Sequence, residues 1–138
     1  MKAFDADVLT FIFKGDVGYV QKVARISASE RSVPIVVADQ ILRGRLNAIR
    51  QAEAGKGKAG IDVAYSYLEQ TINHLKRMQV LSFTRNAEVL VQTWRKQKIK
   101  VGVSDLRIAA VCVIHGATLI SRNRRDFDLV PGLSVAYW

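Results

Sequence analysis

The stretch Gly102-Val103-Ser104-Asp105-Leu106-Arg107-Ile108-Ala109-Ala110-Val111-Cys112-Val113-Ile114-His115-Gly116-Ala117-Thr118-Leu119-Ile120-Ser121-Arg122-Asn123-Arg124-Arg125-Asp126-Phe127 decides the fold. Leu106 to Ile114 is almost wholly apolar, which suits a buried helix capped by Ser104. Ala117 to Ser121 then reads as a buried strand. A buried helix feeding directly into a buried strand is the crossover pattern of an α/β sandwich. Asp105 stands where the helix begins, and Asn123 and Asp126 follow the end of the strand, so polar groups collect where apolar elements stop.

Outward from this stretch the same alternation recurs. Lys2 to Phe4 suits a first strand, with Asp7 as a cap for the helix implied by Val8, Leu9, Phe11 and Ile12. Lys14-Gly15-Asp16 separates it from a second helix carrying Val17, Val20, Val23, Ala24 and Ile26. The β-branched run Val33-Pro34-Ile35-Val36-Val37 predicts the next strand, and a helix follows from about Ala38 to Ala54. Gly55-Lys56-Gly57-Lys58-Ala59-Gly60 is basic, flexible and loop-like. Ile61 to Met78 has helical spacing, and Val80 to Phe83 predicts a short strand. Val89, Leu90, Val91 and Trp94 lie on a further helix whose end is crowded by Lys96, Lys98 and Lys100 before Gly102 breaks it. Leu133 to Tyr137 is the last expected strand. The expected architecture is a three-layer α/β/α sandwich around a mainly parallel central sheet, with residues 1–138 as one domain.

The 138 residues suffice to bury a core without staples, and the net charge of +9 favours an anionic partner. RNA, DNA or an acidic protein segment would all satisfy that field. Cys112 is the only cysteine, which excludes disulfides within the chain and cysteine-rich zinc sites and suits a buried thiol. No signal peptide and no membrane-length apolar run is visible, so a cytoplasmic location without membrane contact is expected.

In parallel sheets ligands gather at the carboxyl ends of the strands. Asp5, Gln40, Asp105, Asn123 and Asp126 all stand near such ends. Carboxylates brought together there repel one another, and a divalent cation is the usual relief. Asp5, Asp105 and Asp126 are the metal candidates; Arg122, Arg124 and Arg125 surround the last of them and are natural phosphate contacts. Bland alternatives stand beside these readings. Asp5 or Asp105 alone could be a cap or ion-pair partner, Asp126 a turn residue, and Asp39 a solvated first-turn acid. His74 should be a surface residue and His115 a helix C-terminal residue, with no second ligand at zinc spacing. Trp94 and Trp138 suit core or interface positions.

Four segments together carry a family resemblance: Phe4-Asp5-Ala6-Asp7, Ala38-Asp39-Gln40-Ile41-Leu42-Arg43-Gly44-Arg45-Leu46, Gly102 to Ala110, and Leu119 to Phe127. In order and spacing they resemble the PIN-domain ribonucleases, and within them the VapC-type toxins of toxin–antitoxin pairs. The resemblance implies a metal-dependent endoribonuclease with acidic positions at Asp5, Gln40, Asp105 and the Asn123/Asp126 loop. It further implies a cognate antitoxin, a homodimer, and structured RNA such as tRNA or ribosomal RNA as substrate. Two positions depart from the pattern: Ala6 replaces the usual Thr or Ser, and Gln40 replaces the usual Glu. A Gln carbonyl can accept a hydrogen bond but neutralises none of a cation's charge.

Phosphodiester hydrolysis needs an activated water and positive charge at the phosphate, which carboxylate-held Mg²⁺ or Mn²⁺ supplies without a nucleophilic side chain. A second hypothesis is a catalytically weak or inactive PIN domain that serves as an RNA- or antitoxin-binding module, with Gln40 its main support. A receiver domain of the response-regulator kind ranks below both, since a phosphoacceptor Asp after a third strand and a matching late Lys are missing.

Overall fold

The computed structural model describes residues 1–138. Strand β1, Lys2–Phe4, leads into helices α1, Ala6–Phe13, and α2, Val17–Ala24. After a 3₁₀ turn at Ala28–Glu30 come β2, Arg31–Pro34, and the paired helices α3, Ile35–Glu53, and α4, Ile61–Leu75. Strand β3, Gln79–Leu81, precedes the packed helices α5, Arg85–Lys96, and α6, Val103–His115. Strand β4, Thr118–Ser121, a short helix α7, Arg124–Phe127, and β5, Val135–Tyr137, complete the chain.

All four strand pairings are parallel, in the order β3-β2-β1-β4-β5. The chain builds outward from β1 through β2 to β3, then returns to the opposite side of β1 for β4 and β5. The order therefore reverses between β1 and β4, and a crevice opens beyond their carboxyl ends. Phe4 pairs with Ile120 in the register, and the next amide, Asp5 N–H, donates to the Ile120 carbonyl at 2.9 Å. Asp5 and Ser121 thus leave the sheet side by side. The helices flank this sheet as an α/β/α sandwich.

Phe4, Leu9, Leu106, Ile108, Leu119, Ile120 and Phe127 are among the fully buried side chains of the core. Burying a side chain of this size stabilises by roughly 1.5–3 kcal/mol before entropy is counted. Cys112 lies wholly inside, and burial pushes its thiol up to about 12, so it is a packing residue with no thiolate at neutral pH. Trp94 is buried, and Trp138 packs edge-on to Phe4 with ring centroids 5.8 Å apart. No helix is long and apolar enough to cross a membrane.

Several expected boundaries move. The run Val33 to Val37 is not one strand: β2 stops at Pro34, which occupies the N-cap of α3, and Ile35, Val36 and Val37 form the first helical turn. Pro34 has no N–H to donate and a φ of −60°, so it suits a helix entry better than a strand interior. Helix α1 is capped by Asp5 and not Asp7, which lies in the first turn. Helix α6 is entered at Gly102, so Ser104 is inside the helix and Gly102 is no breaker of α5. Helix α5 already ends at Lys96, and Lys98 turns the chain with a positive φ of 58°. Gly116 closes α6 in the left-handed conformation, φ 65°. Strands β3 and β5 are shorter than expected, and the Arg124–Phe127 segment is a helical turn instead of open loop.

Candidate active site

Asp5 receives two hydrogen bonds. Its Oδ1 accepts from the Ala6 N–H at 2.8 Å, as expected of a residue where strand turns into helix, and its Oδ2 accepts from the Ser121 hydroxyl at 2.7 Å. Ser121 is fully buried at the end of β4, and its Oγ also accepts from the Asn123 N–H at 3.0 Å. One hydroxyl therefore joins the ends of the two central strands to the loop beyond. Burial raises the Asp5 carboxyl above its ordinary value, against the lowering effect of the Ser121 and Ala6 hydrogen bonds.

Asn123 caps α7 and bridges two acids. Its Nδ2 donates to Asp126 Oδ2 at 3.0 Å and, more loosely, to Asp105 Oδ2 at 3.4 Å. Its Oδ1 faces the Asp126 N–H at 3.4 Å. Asp105 comes from the first turn of α6. Burial, followed by the negative charges of Asp5, Asp126 and Asp7, pushes its carboxyl up to about 6. Asp5 from the start of the chain and Asp105, Asn123 and Asp126 from its last third therefore meet in the switch-point crevice.

Gln40, in the second turn of α3, donates from Nε2 to Ser104 Oγ at 2.6 Å and so reaches the residue beside Asp105. The neighbouring Asp39 faces outward and pairs with Arg43 at 2.8 Å, with both side chains well exposed, an interaction of little energetic weight. Asp7 is exposed. Of the three arginines, Arg122 lies 4.8 Å from the Phe11 ring centroid. Arg124 lies 4.2 Å from that of Tyr137 and 4.0 Å from Asp128. Arg125 is exposed and makes no ion pair. His115 ends α6 and contacts the Ser82 carbonyl at 3.0 Å through Nε2. His74 is not a free surface residue: it is half-buried and stacks on Phe13 at 4.5 Å.

Ser121 and Ser104 were not among the expected site residues. A serine ending an apolar strand just before Arg-Asn is the signal that marks Ser121. Ser104 is identified only by the arrival of Gln40 from another helix.

No three His, Cys, Asp or Glu side chains form a ready cage for a metal ion. The donor set is nevertheless suited to a hard, water-rich cation. Mg²⁺ commonly takes one or two carboxylates and keeps several waters. Here carboxylate oxygens converge, and the like charges raising Asp105 are what such an ion would relieve.

Comparison with known proteins places the chain in a family. The PIN domain profile matches residues 2–133. Ribonuclease VapC1 of Rickettsia felis is 42% identical over 40 residues, which cover 29% of this chain and 30% of that protein. The chain thus spans less than a third of that relative in the match. DNA-bound VapBC from Salmonella typhimurium contains a chain that superimposes with a TM-score of 0.79 at 17% identity, covering 99% of this chain and 97% of that one. A toxin–antitoxin complex from Klebsiella pneumoniae gives 0.73 at 19% identity, covering 99% and 96%. At these identities the structural likeness is one of fold. The sequence match, running from β1 to the approach to β5, shows that the chain belongs to the PIN domain family.

Proposed function

We propose that this chain is a divalent-metal-dependent endoribonuclease, the toxin of a VapC-type toxin–antitoxin pair. Its substrate would be structured RNA such as tRNA or ribosomal RNA. The observation that carries the reading is the meeting of Asp5, Asp105 and Asp126 around Ser121 and Asn123 at the sheet's switch point. The ribonuclease name of the Rickettsia felis relative and the VapBC and toxin–antitoxin assemblies of the fold neighbours support it.

Asp5 and Asp105 are the residues that would hold Mg²⁺ or Mn²⁺, with Asp126 offering a further carboxylate. Such an ion, when bound, contributes water activation and charge neutralisation at the scissile phosphate. Asp5 is kept in one orientation by Ser121 and the Ala6 N–H. Asn123 sets the spacing of Asp105 and Asp126 through the two donors of its amide. The exposed guanidinium of Arg125, with Arg122 and Arg124 held nearby on aromatic faces, meets the RNA backbone. The +9 charge draws in RNA and equally an acidic antitoxin segment. The protein would act in the cytoplasm as a homodimer until its antitoxin silences it.

A second reading rests on Gln40. Its neutral amide, held by Ser104, adds no negative charge to the crevice. A site with less charge binds a cation more weakly, and the domain would then serve as an RNA- or antitoxin-binding module. Incubating total cellular RNA with the protein in Mg²⁺ or Mn²⁺, and separately in EDTA, tests both. Discrete fragments that form only with the ion support the ribonuclease. RNA that is bound but left intact under every condition contradicts it and favours the binding module.

A further inference from the structure

A second cavity, of about 390 Å³, opens where the end of α1 meets α3 and α4. This volume falls in the range of about 300–1,000 Å³ usual for small-molecule sites. Tyr67, Thr71 and His74 line it from α4 at positions four and three apart, which puts them on one helical face. Phe13 and Lys14 close it from α1, and Arg45 enters from α3.

Arg45 is an anchored cation. Its Nε donates at 2.9 Å to the Thr71 hydroxyl, which is 2% exposed, and its guanidinium carbon sits 5.6 Å from the Tyr67 ring centroid. The terminal nitrogens of Arg45 make no hydrogen bond within the protein and stay available to an anion. In the same cavity the Phe13 and His74 rings are stacked at 4.5 Å and 8°. Burial, aided by Arg77, lowers the His74 pKa, which favours the uncharged ring. No acidic side chain lines the cavity.

The cavity adjoins another that reaches Ala6, next to Asp5, and Gln40, the partner of Ser104. A shallower cavity of about 260 Å³ runs between α1 and α3 past Ala6, Thr10, Gln40, Ile41 and Gly44, and Arg45 lines both. Glycine is a poor helix-interior residue. At Gly44 an added Cβ would meet nothing within 4 Å, so the absent side chain leaves this path unobstructed.

We propose that the Phe13–Arg45–Tyr67–His74 cavity is a nucleotide subsite, in which a base stacks on an aromatic ring while Arg45 and Lys14 bind its phosphate. It positions an RNA strand whose scissile bond lies at the acidic crevice, and so rests on the ribonuclease reading. Flat aromatic surfaces beside a fixed guanidinium suit a nucleobase and its phosphate together. An acidic peptide would need only the charges and would leave the stacked rings without a role.

The test uses the full chain in EDTA, so that binding is separated from cleavage, with fluorescein-labelled hexauridylate and hexaadenylate as probes. Tyr67→Ala should raise Kd about tenfold while Tyr67→Phe retains wild-type affinity, as expected for stacking. Arg45→Gln should weaken binding and reduce the salt slope by about one. Crosslinking of 4-thiouridine RNA to the wild-type protein should label the 61–75 segment, a readout that does not depend on any variant folding. If Tyr67→Ala binds as wild type and adducts map elsewhere, while wild type still cleaves RNA in Mn²⁺, the subsite is wrong and the ribonuclease reading stands. If wild type neither binds nor cleaves RNA, both fall. Loss of poly-glutamate binding by Arg45→Gln, with RNA binding unchanged in all variants, would assign the cavity to an acidic peptide and overturn the proposal.

Discussion

Gln40 Nε2 donates to Ser104 Oγ at 2.6 Å, tying the second turn of α3 to the first turn of α6, one residue from Asp105. This contact can survive replacement of the amide by a carboxylate, because the Ser104 hydroxyl can reverse its role and donate. Gln40→Glu should therefore fold, add one negative charge beside Asp105, and tighten Mn²⁺ binding by about tenfold, the scale of one pKa unit of added charge interaction. Cleavage should rise and growth arrest on expression should deepen. Calorimetric titration with Mn²⁺ checks the first step; equal affinities for both proteins would show that residue 40 lies outside the ion's reach.

Ser121 is fully buried and serves Asp5 and the Asn123 backbone at once. Ser121→Ala leaves a half-buried carboxylate oxygen and a backbone N–H without this partner, which should destabilise by roughly 1–3 kcal/mol. Urea unfolding measures this. A change under about 0.5 kcal/mol, the scale of an ordinary surface substitution, would mean that water replaces the hydroxyl at no cost.

Asp105 gives the fold a pH dependence of known sign. Its folded value of about 6 lies above its ordinary 3.8, so the unfolded chain releases this proton first as pH rises. The group therefore favours the fold below about pH 4 and loses that contribution as pH climbs through 6. Asp5 is shifted in the same direction. In EDTA, Asp105→Asn should melt higher than wild type at pH 7, with the gap closing toward pH 4. Melting curves of the two proteins across that range check it, and a gap that widens on acidification would reverse the assignment. Saturating Mg²⁺ should stabilise wild type at pH 7 and not the Asn variant.

The three arginines should not be equivalent. Arg124 is held by Tyr137 and Asp128, whereas Arg125 has no ion-pair partner. Arg125→Glu should weaken RNA binding with a shallower salt dependence and an unchanged melting temperature. Arg124→Glu should also loosen the α7–β5 contact and lower the melting temperature. Filter binding at several salt concentrations, paired with melting curves, separates the two effects; identical melting of the two variants would contradict it.

The sheet was legible chiefly from α6 and β4, whose residues Ile108 to Cys112 and Leu119 to Ile120 form buried apolar runs, and Asp105, Asn123 and Asp126 were legible as polar groups flanking them, with Asp5 at the end of the buried Ala3-Phe4 pair. Local pattern failed where two elements share one composition. Val33 to Val37 has the β-branched content of a strand throughout, yet the chain turns helical after Pro34, since tertiary packing overrides propensity there. Ser104 looked like a cap because capping is a local signal, whereas its partner Gln40 is 64 positions away. The aromatic cavity at His74 was equally hidden. It exists only because α1, α3 and α4 converge, and nothing in the spacing of α4 alone distinguishes it from a solvated helix face.

The central claim is that the acids around Asn123 perform ion-dependent RNA hydrolysis. Its most direct test is the single-turnover cleavage rate of one defined tRNA as a function of Mn²⁺ concentration, for wild type and Asp105→Asn. Wild type should show a saturable rise from no cleavage in EDTA, and the Asn variant should lose at least about a hundredfold in rate at equal RNA binding, a ΔΔG‡ of roughly 2.7 kcal/mol. Equal rates for the two proteins, or cleavage that persists in EDTA, would contradict it.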